Sequence, residues 1–135
     1  MMKIEINNKV GCQIDLKLME KVIKAFGQTY KLNHKELSLV FVSGAEIKKL
    51  NNIYRGLNQA TDILSFNGED DFLGELVICY SQIKRQAGKF NNSAEQELIF
   101  ILVHGLLHLI GYDDKAEAER LVMIKMGEKF IKNYL

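Results

Sequence analysis

The chain has 135 residues, 47% of them hydrophobic, with 18 Lys and Arg against 17 Asp and Glu and a formal net charge of +1. That length fits one domain with a core large enough to need no crosslinks, and the near-neutral balance argues against a strongly basic polyanion binder while leaving a local basic surface open. Cys12 and Cys79 lie far apart and outside any CxxC pair, no basic-then-apolar leader opens the chain, and no apolar window reaches membrane-spanning length, so the expectation is a reduced, cytoplasmic protein with no membrane partner and no cysteine ligand.

The absence of proline leaves the turns to Gly, Asn, Asp and Ser. Lys3 to Asn8 alternates as a short strand, and Ile14 to Tyr30 carries Leu16, Met19, Val22, Ile23 and Phe26 at helical spacing. Leu37 to Ser43 reads as a strand, after which Ser43 caps a helix running to about Tyr54, with Glu46 placed to complete a capping box. Asp62 to Phe66 and Leu73 to Tyr80 are strands on either side of the acidic turn GEDD, and a hairpin is the expected pairing. Helices follow over Ser81 to Gly88, Ser93 to Ile110 with a Ser93/Gln96 capping box, and Lys115 to Asn133. The Ser93 helix is apolar almost all round, which predicts the buried centre of an α/β (α+β) fold with a four-stranded mixed sheet and about five helices.

That central helix ends in HGLLHLIGYDD. His104 and His108 are one helical turn apart on one face, so both imidazoles reach the same point. Gly111, three residues on, is suited to a left-handed cap that reverses the chain, and Asp114 is then positioned to return a carboxylate to the two histidines. Three ligands with a fourth position free is the pattern of a catalytic metal site, and two imidazoles with one carboxylate favour zinc while admitting nickel, manganese or iron. The bland alternative is a hydrogen-bonded histidine pair, an ordinary glycine cap and a solvated turn. Zinc proteases of the metzincin type share the spacing, but they place a glutamate general base directly after the first histidine, where this chain has Gly105.

The run LNNIYRGLNQATDILSF, the following GELVI and the HGLLHLIGYDD segment together resemble the YbeY family of bacterial metal-dependent endoribonucleases, from Leu50 to Asp114 in order and spacing. The resemblance implies a small mixed sheet packed with helices, and it implies cleavage of single-stranded RNA in maturation of the 3′ end of small-subunit ribosomal RNA, with a related role in ribosome quality control. Its partners would be ribosomal RNA and the small ribosomal subunit, with no DNA expected. Three positions depart from the family pattern: Asp114 replaces the usual third histidine ligand, Ala60 replaces a proline before the Thr61–Asp62 pair, and Glu75 replaces an aspartate.

Under this resemblance His104, His108 and Asp114 hold the metal, and Arg55 matches the arginine of the first motif. A guanidinium binds two phosphate oxygens at once, so Arg55 is the candidate clamp, catalytic together with His104 and His108. Asp113 and Ser65 are weaker candidates for orienting a histidine or lining the cleft, each with a structural alternative as a turn aspartate or a strand residue. Thr61 and Asp62 read as a hydrogen-bonded turn, Glu97 is ambiguous, and His34 reads as a surface residue. Lys48, Lys49, Lys84, Arg85 and Lys89 are candidates for RNA-backbone contacts or ordinary solvated helix faces. The competing functions are an RNA-binding ribosome-assembly factor with a structural metal and, behind it, a metallopeptidase.

Overall fold

The computed structural model describes residues 1–134, and among them four strands and five α-helices alternate in the order anticipated. The strands are β1 (Lys3–Asn8), β2 (Glu36–Phe41), β3 (Ile63–Asn67) and β4 (Phe72–Ile78), arranged β1-β2-β4-β3 in one sheet. β1, β2 and β4 run parallel, and β3 pairs antiparallel with β4 as the expected hairpin. β2 and β4 lie in the middle and are apolar for most of their length, whereas β3 is an edge whose outer side faces the cleft described below.

The helices are α1 (Leu16–Thr29), α2 (Gly44–Arg55), α3 (Tyr80–Ala87), α4 (Ala94–Leu109) and α5 (Glu117–Tyr134), with a short 3-10 turn at Gly88–Phe90 between α3 and α4. α4 is the centre of the molecule. Leu98, Leu102, Val103, Leu106 and Leu107 are buried on it, in one cluster with Leu37, Leu39, Phe41, Leu76 and Ile78 from one face of the sheet. Met19, Val22, Ile23 and Phe26 of α1 and Met123 and Phe130 of α5 close the same cluster. Each such side chain contributes about 1.5–3 kcal/mol on burial, so α4 is held in place by the main hydrophobic term of the fold. The opposite sheet face carries a smaller cluster of Val40, Val42, Leu64 and Val77 under Ile47 of α2.

Several boundaries shift for local reasons. α1 starts at Leu16 because the Asp15 carboxylate accepts from the Leu18 N–H at 3.0 Å and caps it. β2 ends at Phe41, two residues early, and β4 at Ile78, because Ser43 caps α2 and Cys79 is already the cap of α3. The expected Ser43/Glu46 capping box is half formed: Ser43 Oγ accepts from the Glu46 N–H, but the Glu46 carboxylate turns to Lys9 Nζ at 3.4 Å. The Ser93/Gln96 box is complete. Leu73 is the extra residue where β4 loses register with β2, and Gly74 beside it takes φ +149, with no room for a Cβ 2.4 Å from the Phe66 carbonyl. Both cysteines are free, Cys79 buried and Cys12 partly so. No helix among the described residues is long and apolar enough to cross a membrane.

Candidate metal centre

The C-terminus of α4 builds the site out of backbone geometry. Gly111 takes φ +106, its N–H donates to the His108 carbonyl at 3.0 Å, and the Tyr112 N–H donates to the Leu107 carbonyl at 3.1 Å. This pair of bonds is a Schellman motif, which uses up helix-end carbonyls while turning the chain back on itself. Asn67 Nδ2, at the end of β3, donates to the Leu109 carbonyl at 3.2 Å and ties the helix end to the edge strand. The Asp113 carboxylate then accepts from the backbone N–H groups of Asp114, at 2.7 Å, and Lys115, at 3.1 Å. That turn delays α5 to Glu117, two residues after the predicted start, and aims Asp114 at the histidines.

Asp114 Oδ2 lies 3.3 Å from Nε2 of both His104 and His108, and the three groups offer ligand atoms within 4.8 Å of one another. Donors on a tetrahedral ion at zinc-ligand distances stand roughly 3.4 Å apart, so the spacing fits a metal. The tautomer fits as well. His108 Nδ1 lies 3.1 Å from the Tyr112 carbonyl, which can only accept, so Nδ1 carries the proton. Nε2 then faces the Asp114 carboxylate, the orientation in which a neutral ring turns its lone pair toward a shared ion. Phe100 stacks on His104, with ring centres 6.3 Å apart, and restricts that ring further.

Burial pushes His104 below its ordinary value of 6.5; the hydrogen bond to Asp114 opposes the shift and the charge of His108 adds to it. Burial raises Asp114, but the hydrogen bond from His104 and the field of both histidines outweigh it, and the carboxyl ends below 3.8. Both shifts favour the deprotonated forms that bind metals.

The trio stands in a cleft of about 900 Å³ between the free edge of β3, the end of α2, the end of α4 and the start of α5. Arg55, the last residue of α2, and Ser65 on β3 line it, as do Asp113, Thr61 and Asp62. Arg55 is exposed and makes no ion pair among the described residues. Gly56 follows it in the left-handed conformation, φ +70, and ends the helix there. Asp113 keeps one carboxylate oxygen on the two backbone N–H groups, the structural role weighed for it. Asp62 is braced from outside the cleft: its Oδ2 accepts from Gln86 Nε2 at 3.0 Å, and the same amide nitrogen reaches the buried Glu97 at 3.1 Å. Glu97 therefore sits in the network behind the cleft wall. His34 is exposed in its loop, and of the suggested basic residues Arg55 alone lines the cleft.

Among the cleft residues not anticipated, three carry chemistry that bears on function. Arg120 comes from α5, Tyr54 from α2 and Phe100 from α4. Phe100 was legible in principle, since it precedes His104 by one helical turn on the same face. Arg120 depends on how α5 packs, which no local pattern encodes. At the position where a peptidase would carry its general base, Gly105 is buried, and a Cβ there would meet Ile63 and Leu76 of the sheet. A glutamate there would point into the core, so the peptidase alternative lacks its base.

A family model described as Endoribonuclease YbeY matches residues 3–135 of the chain. A protein of Phytoplasma australiense named Endoribonuclease YbeY is 40% identical over 139 residues, covering 97% of this chain and 94% of that one. A protein of the same name from Finegoldia magna is 38% identical over 142 residues, covering 97% and 93%. A solution structure of a Thermotoga maritima protein superposes with a TM-score of 0.67 at 30% identity, covering 96% of this chain and 87% of that one.

Proposed function

The chain belongs to the YbeY family of endoribonucleases, and on that footing we propose that it is a metal-dependent endoribonuclease that cuts single-stranded RNA in the cleft beside His104, His108 and Asp114. The observation that carries the reading is the convergence of those three groups in one cleft with Arg55, which has no ion pair among the described residues, lining it. The natural substrate on this reading is the 3′ region of small-subunit ribosomal RNA, met on or near the small subunit in the cytoplasm, with ribosome quality control as an allied role. Zinc is the ion that best suits two imidazoles and a carboxylate.

His104, His108 and Asp114 would hold the metal, which when bound would supply Lewis-acid activation and offset part of the phosphate charge. The chain's own groups do the rest. The Tyr112 carbonyl fixes the His108 ring so that Nε2 faces the cleft. Arg55 offers a planar pair of N–H donors to two phosphate oxygens as negative charge builds on them, an interaction that strengthens in the transition state. Arg120 of α5 lines the same cleft and is a second cation for a neighbouring phosphate of the bound strand. Both an external water and the ribose 2′-hydroxyl are nucleophiles compatible with this arrangement.

The decisive experiment incubates purified protein with a single-stranded RNA spanning the mature 3′ end of the small-subunit RNA, with zinc and with chelator, beside Arg55→Ala and His108→Ala. The expected result is metal-dependent cleavage abolished by His108→Ala and strongly lowered by Arg55→Ala while RNA binding persists. Binding without cleavage in the metal-loaded wild type would instead make the protein a non-cleaving assembly factor. End-group analysis separates the nucleophiles, because a 2′,3′-cyclic phosphate product excludes direct attack by water.

A further inference from the structure

The last turn of α2 contributes a second side chain to the cleft beside Arg55. Tyr54 is 64% exposed, and its ring meets Phe66 of β3 edge to face, with centroids 5.0 Å apart and planes at 69°. Both rings line the same cleft as His104 and His108. Ile53 and Leu57, 62% and 40% exposed, extend the apolar surface around the same helix end. An aromatic ring left this open forgoes the burial that usually holds it in a small protein, yet the contact with Phe66 still fixes its orientation. The result is a flat apolar ring, held in place at the mouth of a site whose other neighbour is a phosphate-binding guanidinium.

We infer that Tyr54, backed by Phe66, is a base-stacking subsite that takes one unpaired nucleobase next to the phosphate held by Arg55. The inference rests on the RNA reading above and gives it a specificity-determining residue. Every nucleobase has a π face, so stacking on tyrosine tolerates any sequence but requires a base that has left its own stack. A paired base presents no free face to Tyr54 and leaves the subsite empty. Preference for single strands then arises at this ring, independently of the metal ligands. Neither ring is a metal ligand, and the tyrosine hydroxyl is not needed for a face-on contact, so phenylalanine serves at this position and an aliphatic residue does not.

The test uses the full chain loaded with zinc and a fluorescently labelled single-stranded RNA, together with a series in which one nucleotide at a time around the cut is abasic. Affinity and cleavage rate are both measured for wild type, Tyr54→Phe, Tyr54→Leu and Tyr54→Ala. In the wild type an abasic nucleotide at one position costs about tenfold or more, the range of a single aromatic stack. Tyr54→Phe keeps that penalty. Tyr54→Leu and Tyr54→Ala weaken intact RNA by a similar factor and lose the penalty at that position, and their preference for single over double strands narrows. Equal abasic profiles in wild type and Tyr54→Ala, or a wild type indifferent to every abasic position, overturn the subsite while RNA cleavage stands. A wild type that neither binds nor cuts the intact RNA overturns the nuclease reading and the subsite with it.

Discussion

Gly105 and Ile63 meet where α4 crosses the edge strand: a Cβ at Gly105 would stand 2.6 Å from Ile63 Cδ1 and 3.0 Å from Leu76 Cδ2. The helix that carries the histidines lies against the sheet because this residue has no side chain. Gly105→Ala pushes the end of the Ile63 side chain aside at a cost of about 1–3 kcal/mol, read as a lowered denaturation midpoint, and Gly105→Glu yields no folded protein.

Asp114 is the proposed third ligand, at the position where the sequence resemblance leads one to expect a histidine. Elemental analysis after dialysis is expected to find one metal ion per chain in the wild type and markedly less in Asp114→Ala. Asp114→His restores occupancy, because an imidazole can replace the carboxylate oxygen between the two existing nitrogens. Full occupancy in the alanine variant would remove Asp114 from the ligand set.

Acid should remove the metal later than an ordinary histidine would allow. Protons compete with the ion for His104, whose pKa lies below 6.5 chiefly through burial, so occupancy holds as pH falls through that value and fails further down. The metal-free protein has a matching signature. Unfolded His104 takes its proton first, near 6.5, so stability is fully present above that pH and declines below it until the folded form is protonated as well. Thermal melts of the metal-free protein against pH show this decline, and His104→Gln flattens it.

Arg55→Ala lowers cleavage by roughly 100-fold or more, in the range of lost transition-state donors. Arg55→Lys recovers only part of that, since an ammonium cannot bind two oxygens in a plane. A kcat effect with KM little changed identifies a transition-state contact.

Arg120→Ala acts differently. A backbone-phosphate contact raises affinity uniformly across sequences, so its loss weakens every RNA tested and reduces the slope of log affinity against log salt by about one. An unchanged slope would place Arg120 outside the RNA track.

The convergence of His104, His108 and Asp114 was legible in the sequence because it is local. His104 and His108 are related by helix pitch, Gly111 by the cap it forms, and Asp114 by the turn that follows. The α4 core was legible for a related reason: an unbroken apolar helix has nowhere to go except the middle. What sequence left out depends on tertiary packing. Arg120 enters the cleft through the angle of α5, and Tyr54 through the approach of α2 to the edge strand. The start of α5 was misplaced because one carboxylate, Asp113, claims two backbone N–H groups that a helix would have used. Glu46 was misread as a capping partner because Lys9, distant in sequence, competes for it.

The Schellman turn of α4 has a consequence for the order in which the molecule matures. His104 and Asp114 are only ten residues apart, so closing that loop requires little chain entropy and none of the sheet. Arg55 and Tyr54 arrive from α2, and they stand beside the ligands only after distant segments have docked. If these three residues are the ligand set, the short loop that joins them closes before Arg55 and Tyr54 are in place, so metal content is expected to exceed the fraction of molecules competent to cut.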